Sequence, residues 1–300
     1  MISKTIQLWE EAPYVKLQCY PHPDAQTIQP GPKRPAVIIC PGGAFLGTSD
    51  REAEPVANRF NVNGMHAFVL RYTTYYQERL TSLADAPPGN PASAYPQPLL
   101  DLAKAMLYVR QHAGELGVDP DRIALCGFSA GGHLAASLGV HWESELLRDT
   151  LGCESRWFKP NALILGYALL DYAAMTPKHD QAPDPGNARL TELANLAVFG
   201  KPDPTPEEYE NLSPARYVSP STPPTFLWHT QADGLVYVEN SLRFAGELAK
   251  HGVPFDLHIF EQGDHGLALG DETSARGPEH INAHAARWVD LAFSWLKLRC

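Results

Sequence analysis

Cysteine, long apolar runs and positive charge are all in short supply. The five cysteines, Cys19, Cys40, Cys126, Cys153 and Cys300, are odd in number and widely scattered, with no C-x-x-C spacing. That pattern argues against a disulfide framework and against a zinc or dithiol motif. Cys40 and Cys126 each end an apolar run and read as small buried hydrophobes rather than reactive thiols. No stretch approaches the roughly 18 consecutive apolar residues of a membrane span. Lysine and arginine total 24 against 34 acids, a net charge of −10, so nucleic acid and an anionic membrane are poor main partners. The segment Met1-Ile2-Ser3-Lys4-Thr5-Ile6-Gln7-Leu8 has no long apolar core and no cleavage-site pattern, which predicts a cytoplasmic location. What is present is a chain of 300 residues, 44% hydrophobic and 19% charged. This is enough for one globular domain over residues 1–300 that buries a substantial core without staples.

Short apolar runs rich in β-branched residues recur at Ala36–Cys40, His66–Leu70, Arg122–Cys126, Ala162–Leu165, Thr225–Trp228 and Phe255–Phe260. Helical periodicity falls between them at about 51–63, 99–116, 130–142, 239–251 and 281–298,. Strands alternating with helices predict an α/β fold, a mostly parallel sheet with helices on both faces. Residues before about 30 read as one or two antiparallel edge strands. Two stretches break the alternation: 73–98, with the breaker cluster Pro87-Pro88-Gly89-Asn90-Pro91, and 171–224, which holds ten of the 27 prolines. Both read as irregular excursions that serve as lids or binding loops.

After the run Arg122–Cys126 comes Gly127-Phe128-Ser129-Ala130-Gly131-Gly132, the pattern G-x-S-x-G between a strand and a helix. In that context the turn exposes a serine hydroxyl above the sheet, and the glycines give clearance where strand and helix nearly touch. A hydroxyl is a weak nucleophile at neutral pH, so a base is needed, and an acid to orient the base. Asp233 follows the run Thr225–Trp228, and His265 follows Phe255–Phe260 between Gly263 and Gly266. Both sit just past strand ends, where open α/β sheets place their sites. Asp171 is a rival for the acid. Among the other histidines, His133, His141, His251 and His258 fall within predicted elements and read as structural. His280 and His284 are four apart but lack the H-E-x-x-H glutamate and a third ligand, so no metal is expected. Two backbone N–H groups should bind the developing oxyanion, one from Ala130 and one from the glycine loop Pro41-Gly42-Gly43-Ala44-Phe45.

At these residues the chain resembles the α/β-hydrolase superfamily, and more closely its acetyl-esterase and acetylxylan-esterase-like carbohydrate esterases. The likeness runs from about residue 33 onward. It rests on Cys40-Pro41-Gly42-Gly43, on Asp119-Pro120-Asp121-Arg122 leading into Gly127–His133, on Pro223–Thr230 with Asp233, and on His265-Gly266. The resemblance implies an α/β-hydrolase fold with about eight strands. It implies Ser129 as nucleophile, Asp233 as acid, His265 as base, and Gly43 or Ala44 with Ala130 as oxyanion donors. Pro41 stands where lipase-type relatives have histidine, and Ala44 where many carry a third glycine. The implied activity is hydrolysis of short-chain carboxylic esters, acetyl foremost, on a carbohydrate such as a xylo-oligosaccharide or another small alcohol, without a cofactor. The same triad could serve a feruloyl esterase, a lactonase or a peptidase, and the fold could also be a non-catalytic binder. Phe45, Phe128 and Tyr75, with Tyr76 and Tyr95, are candidates to line the pocket, Phe128 being equally a core residue. No arginine clamp is evident in the motif loops, which points to an uncharged acyl group, and the acidic balance argues against polyanionic substrates.

Overall fold

The computed structural model describes residues 4–22, 33–77, 88–175 and 185–299. Eight strands form one sheet: β1 (Lys4–Gln7), β2 (Lys16–Tyr20), β3 (Arg34–Cys40), β4 (His66–Arg71), β5 (Val118–Phe128), β6 (Ala162–Gly166), β7 (Thr225–Thr230) and β8 (Phe255–Phe260). Their order is β1-β2-β4-β3-β5-β6-β7-β8. The first two pair antiparallel, as β2 does with β4, and the remaining neighbours are parallel. The central strands are buried along most of their length because helices cover both faces,. Pleating sends alternate residues of β3 to opposite sides: Ala36, Ile38 and Cys40 join one core, Val37 and Ile39 the other,. The first core lies under α2 (Gln97–Gln111), α3 (Ala113–Leu116) and α4 (Ser129–His141), and the second lies under α1 (Glu54–Val62) and the C-terminal helix Trp288–Leu296. Cys40 and Cys126 are fully buried, and burial pushes both thiols above their usual range.

The second excursion is not irregular over its described part, 171–175 and 185–224. After a short helix α5 (Glu145–Leu151), which the periodicity did not reveal, that stretch contains α6 (Pro185–Phe199) and α7 (Pro206–Asn211). Proline content there does not preclude helix. Pro206 occupies the first turn of α7, behind Thr205, whose side chain caps it reciprocally with Glu208, and a proline there costs no hydrogen bond. Residues 78–87 of the first excursion and 176–184 of the second lie outside the described residues. Helix α8 (Glu239–Lys250) buries Phe244, Ala245 and Leu248 along one stripe. The last helix, α9 (Trp288–Leu296), is shorter than the predicted 281–298. Asn282 accepts the His284 and Ala285 amides and turns the chain ahead of it.

Candidate active site

Strand β5 passes directly into α4 at Ser129, whose φ is +52°. A non-glycine residue in that region is strained and persists only where its surroundings hold it. Here the hold is close packing. A Cβ on Gly131 would overlap the Cys40 carbonyl, and one on Gly127 would overlap the Gly131 carbonyl. The serine therefore stands at the end of the sheet with the first turn of α4 beneath it.

Asp233 follows β7, and His265 lies in the loop after β8. The structure brings both to Ser129. His265 Nε2 is 2.9 Å from Ser129 Oγ, and His265 Nδ1 is 2.7 Å from Asp233 Oδ2. Asp233 Oδ1 accepts the Leu235 and Val236 amides, each at 2.9 Å, and the carboxylate is buried. Its second oxygen also lies 3.3 Å from His229 Nε2, a nitrogen closer to Val236 O at 2.8 Å. Burial alone would raise the Asp233 pKa, but the contacts from His229 and His265 outweigh it and hold the carboxyl well below the usual carboxylate range,. The loop carrying His265 turns at Gly266, φ +81°, and is tied to β7 by Thr230 Oγ1, which donates to Gly263 O at 2.7 Å. Asp171 is elsewhere: it accepts the Ala173 amide and pairs with Arg243 at 2.8 Å.

The loop after β3 runs through positive φ at Gly43, Ala44 and Phe45. Its shape is held by Leu46 N donating to Gly43 O, Ser49 N to Gly42 O, Tyr75 N to Phe45 O, and the Tyr72 hydroxyl to Pro41 O. Ala44 borders Ser129 together with Ala130. The Ala130 N–H, in the first turn of α4, has no intrahelical carbonyl within reach.

Two cavities meet at Ser129. One, of about 270 Å³, is walled by Phe45, Ala130, Leu169 and Tyr172 and by Leu190, Ala194 and Val198 of α6. The other, of about 900 Å³, is the more polar of the two and borders His265, Gly43, Arg51, Arg71 and Arg276. Phe45 thus lines the site, whereas two other aromatic candidates are corrected. Phe128 is fully buried against Tyr167 and Trp288, in the core under α1 and α9, because the pleat turns it away from its neighbour Ser129. Tyr75 packs over Gly89 and against Tyr76, and it is Tyr76 that reaches the larger cavity. The expectation of no arginine clamp fails at the larger cavity, which Arg51, Arg71 and Arg276 border. Among the described residues, no cluster of three or more His, Cys, Asp or Glu side chains could hold a metal ion.

Sequence reasoning missed one pair of residues. Glu52, buried behind the glycine loop, accepts the Gly42 amide at 2.6 Å and the Tyr167 hydroxyl at 2.7 Å. The same hydroxyl accepts the Ala268 amide at 2.9 Å, and the Tyr167 ring packs edge-on against His265. Burial raises the Glu52 pKa, and the Tyr167 and Gly42 hydrogen bonds oppose the rise. This chain links the loop after β3 to the loop of His265. A buried carboxylate with two neutral donors leaves no periodic signal in sequence.

A mostly parallel eight-stranded sheet, with Ser129 on a strained strand-to-helix turn and Asp233 and His265 on the loops after the last two strands, defines an α/β hydrolase of the esterase branch. The chain belongs to the BD-FAE family, which it matches over residues 27–248. Endo-1,4-beta-xylanase B of Butyrivibrio fibrisolvens is 30% identical over 240 residues, 80% of this chain and 33% of that protein. The chain thus spans about a third of that relative. Among solved structures, the acetyl ester-xyloside bifunctional hydrolase of Caldicellulosiruptor lactoaceticus is 32% identical with a TM-score of 0.75, covering 99% of this chain and 96% of that one. The carboxylesterase Cest-2923 of Lactobacillus plantarum is 29% identical with a TM-score of 0.73, covering 95% and 92%.

Proposed function

We propose that the chain is a serine carboxylic-ester hydrolase that removes short acyl groups, acetyl foremost, from carbohydrate alcohols through an acyl-enzyme. The observation that carries this reading is the relay from Ser129 Oγ to His265 at 2.9 Å and on to Asp233 at 2.7 Å. Ser129 Oγ attacks the acyl carbonyl carbon while His265 Nε2 takes its proton. The tetrahedral oxyanion is received by the Ala130 N–H and by that of Ala44 or Gly43, each such donor being worth about 3 kcal/mol. The C–O bond to the alcohol then breaks, and His265 returns the proton to the departing oxygen. Water, deprotonated by the same imidazole, attacks the acyl-serine and releases the carboxylic acid and free Ser129. Asp233 stays ionised throughout, fixing the Nδ1–H tautomer and stabilising the imidazolium. The chemistry requires no metal or organic cofactor.

The apolar cavity of about 270 Å³ suits the acyl chain and the polar one of about 900 Å³ the alcohol. The likeness to a protein named for acetyl ester and xyloside hydrolysis favours acetylated xylo-oligosaccharides among alcohols. A panel of p-nitrophenyl esters of increasing acyl length, acetylated xylo-oligosaccharides, a feruloyl ester and a peptide tests the proposal, together with a serine-directed phosphonate. Fast hydrolysis of acetyl esters and phosphonate labelling at Ser129 are expected. Preference for the feruloyl ester or the peptide would overturn the acyl assignment, and neither hydrolysis nor labelling would leave a binding protein.

A further inference from the structure

The larger cavity is bordered by more cations than acids on a molecule whose balance is acidic. Lys16, Arg51, Arg71 and Arg276 border it, against the acids Asp50 and Glu52, while the whole chain has a net charge of −10. Not all four cations are available. Arg71 is fully engaged, with Asp50 at 2.9 Å, Gln18 Oε1 at 2.9 Å and Thr48 Oγ1 at 2.9 Å. Glu52 faces inward, both its oxygens already accepting from Gly42 and Tyr167.

Arg51 and Arg276 differ from Arg71. Arg51 donates through Nε to the Ser274 carbonyl at 2.6 Å, its Nη2 is buried without a partner among the described residues, and its Nη1 lies beside Gly266, next to His265. Burial first, and the neighbouring charge of Arg276 with it, lowers the Arg51 pKa. Glu279, the other acid near Arg51, is turned to His280 at 2.9 Å. Arg276 is exposed and pairs with no carboxylate among the described residues. Two guanidinium groups thus share one end of the cavity with the imidazole, and neither forms an ion pair with a carboxylate among the described residues, although Glu52 and Glu279 lie near Arg51. Of the Arg51 nitrogens, Nε is engaged and Nη2 enclosed, so Arg51 meets a ligand through Nη1. A planar fork of N–H donors matches a carboxylate with two parallel hydrogen bonds.

Which half of the ester meets them follows from the proton path. His265 must hand its proton to the departing alcohol, so the alcohol lies on the imidazole side, with the acyl group in the apolar cavity across Ser129. We propose that the polar cavity prefers an alcohol bearing a carboxylate, a uronate sugar or a sugar substituted with one, held by Arg51 and Arg276. This specificity rests on the ester-hydrolase reading and goes beyond it.

The test compares mono-O-acetylated methyl glucopyranoside with the matching methyl glucopyranosiduronate at low salt, with p-nitrophenyl acetate as the check on hydrolysis itself. The uronate ester should show a kcat/KM about tenfold higher, mostly through KM, with the advantage shrinking as salt rises. Arg276→Gln should bring the ratio close to one, and Arg276→Glu should invert it. Arg276 pairs with no carboxylate among the described residues, and circular dichroism verifies that each variant folds. Equal or better turnover of the neutral sugar by the unaltered chain overturns the proposal, as does a ratio unchanged in both Arg276 variants. Calorimetry with the two deacetylated glycosides reads the site without turnover. Tighter binding of the uronate is expected, and equal binding is a second route to rejection. Failure on p-nitrophenyl acetate strikes only the hydrolase reading, because the calorimetric comparison stands by itself.

Discussion

Asp233 and Asp171 are both acids that follow a parallel strand, yet their surroundings differ sharply. Asp233 is buried, takes two backbone amides on one oxygen and meets His265 with the other, whereas Asp171 spends its charge on Arg243, a side chain half in solvent. Asp233→Asn is therefore expected to leave the chain folded and to lower kcat on p-nitrophenyl acetate by roughly 10⁴, through the wrong imidazole tautomer. Asp171→Asn, which removes one exposed ion pair worth at most about 1 kcal/mol, should stay within about threefold. A larger loss from the Asp171 change would reverse the assignment. Glu52 calls for a different readout because it acts through other groups. Glu52→Gln puts an NH₂ against one of two donors, the Gly42 amide or the Tyr167 hydroxyl. Turnover should fall by about 10- to 100-fold with KM nearly constant, the mark of a donor geometry that matters only in the transition state. A lowered melting temperature with kcat intact would mean that Glu52 only supports the fold.

Helix α6 lies within the second excursion and supplies one wall of the apolar cavity. Its Ala194 and Val198 face that space, while Phe199 packs at its end with Tyr172 and Tyr209. A larger side chain at Ala194 takes volume from the cavity without touching the relay. Ala194→Leu is expected to lower kcat/KM for butyrate relative to acetate by about tenfold, the range that one or two methylenes decide in an apolar pocket. Equal losses on both esters, measured with the p-nitrophenyl series, would show that the acyl chain does not enter there. The turn between β5 and α4 tolerates less. Gly131 meets the Cys40 carbonyl with no room for a methyl group, and the clash is with backbone, so Gly131→Ala should cost several kcal/mol and yield little folded protein. Recovery of a normal urea midpoint in that variant would contradict the packing argument.

At the scale of the whole molecule, stability should depend on pH through a histidine outside the Ser129–His265–Asp233 relay. His133 is buried on α4, donates through Nε2 to Leu212 O at 2.8 Å, and packs against Phe45 and Tyr172. Burial lowers its pKa from 6.5 to about 4, the Leu212 contact opposing and His141 adding to the fall. The folded state therefore favours the neutral ring, and the unfolded chain takes up the proton first as the pH drops. The contribution is complete above pH 6.5 and is lost on the way down to about 4, a change of roughly 3 kcal/mol if no other group compensates. The urea midpoint should decline across that window, and His133→Gln, which keeps an amide for the Leu212 carbonyl, should flatten the decline. An identical slope in the variant would assign the pH dependence to other groups. Asp233 acts in the same direction at lower pH: its pKa is depressed on folding, so its share persists above the unfolded carboxyl value and disappears only in strong acid.

The strands, their parallel order of appearance and the three loops that meet at Ser129 were legible from the amino acids alone. Each is a local signal: an apolar run of β-branched residues, a glycine pattern at a strand end, an acid and a histidine just past two later strands. Proline misled at Pro206, because a residue that breaks a helix inside begins one at its first turn,. Three matters were settled only by the assembled sheet. Phe128 and Ser129 are neighbours in the chain but face opposite sides of it, so adjacency says nothing of who lines the site. Glu52 and Tyr167 are 115 positions apart and meet because β3 and β6 flank β5. Arg51 and Arg276 come from opposite ends of the chain to one cavity beside His265. Local composition sets which segments become strands and turns, whereas the company a charged group keeps is a property of distances that only folding creates.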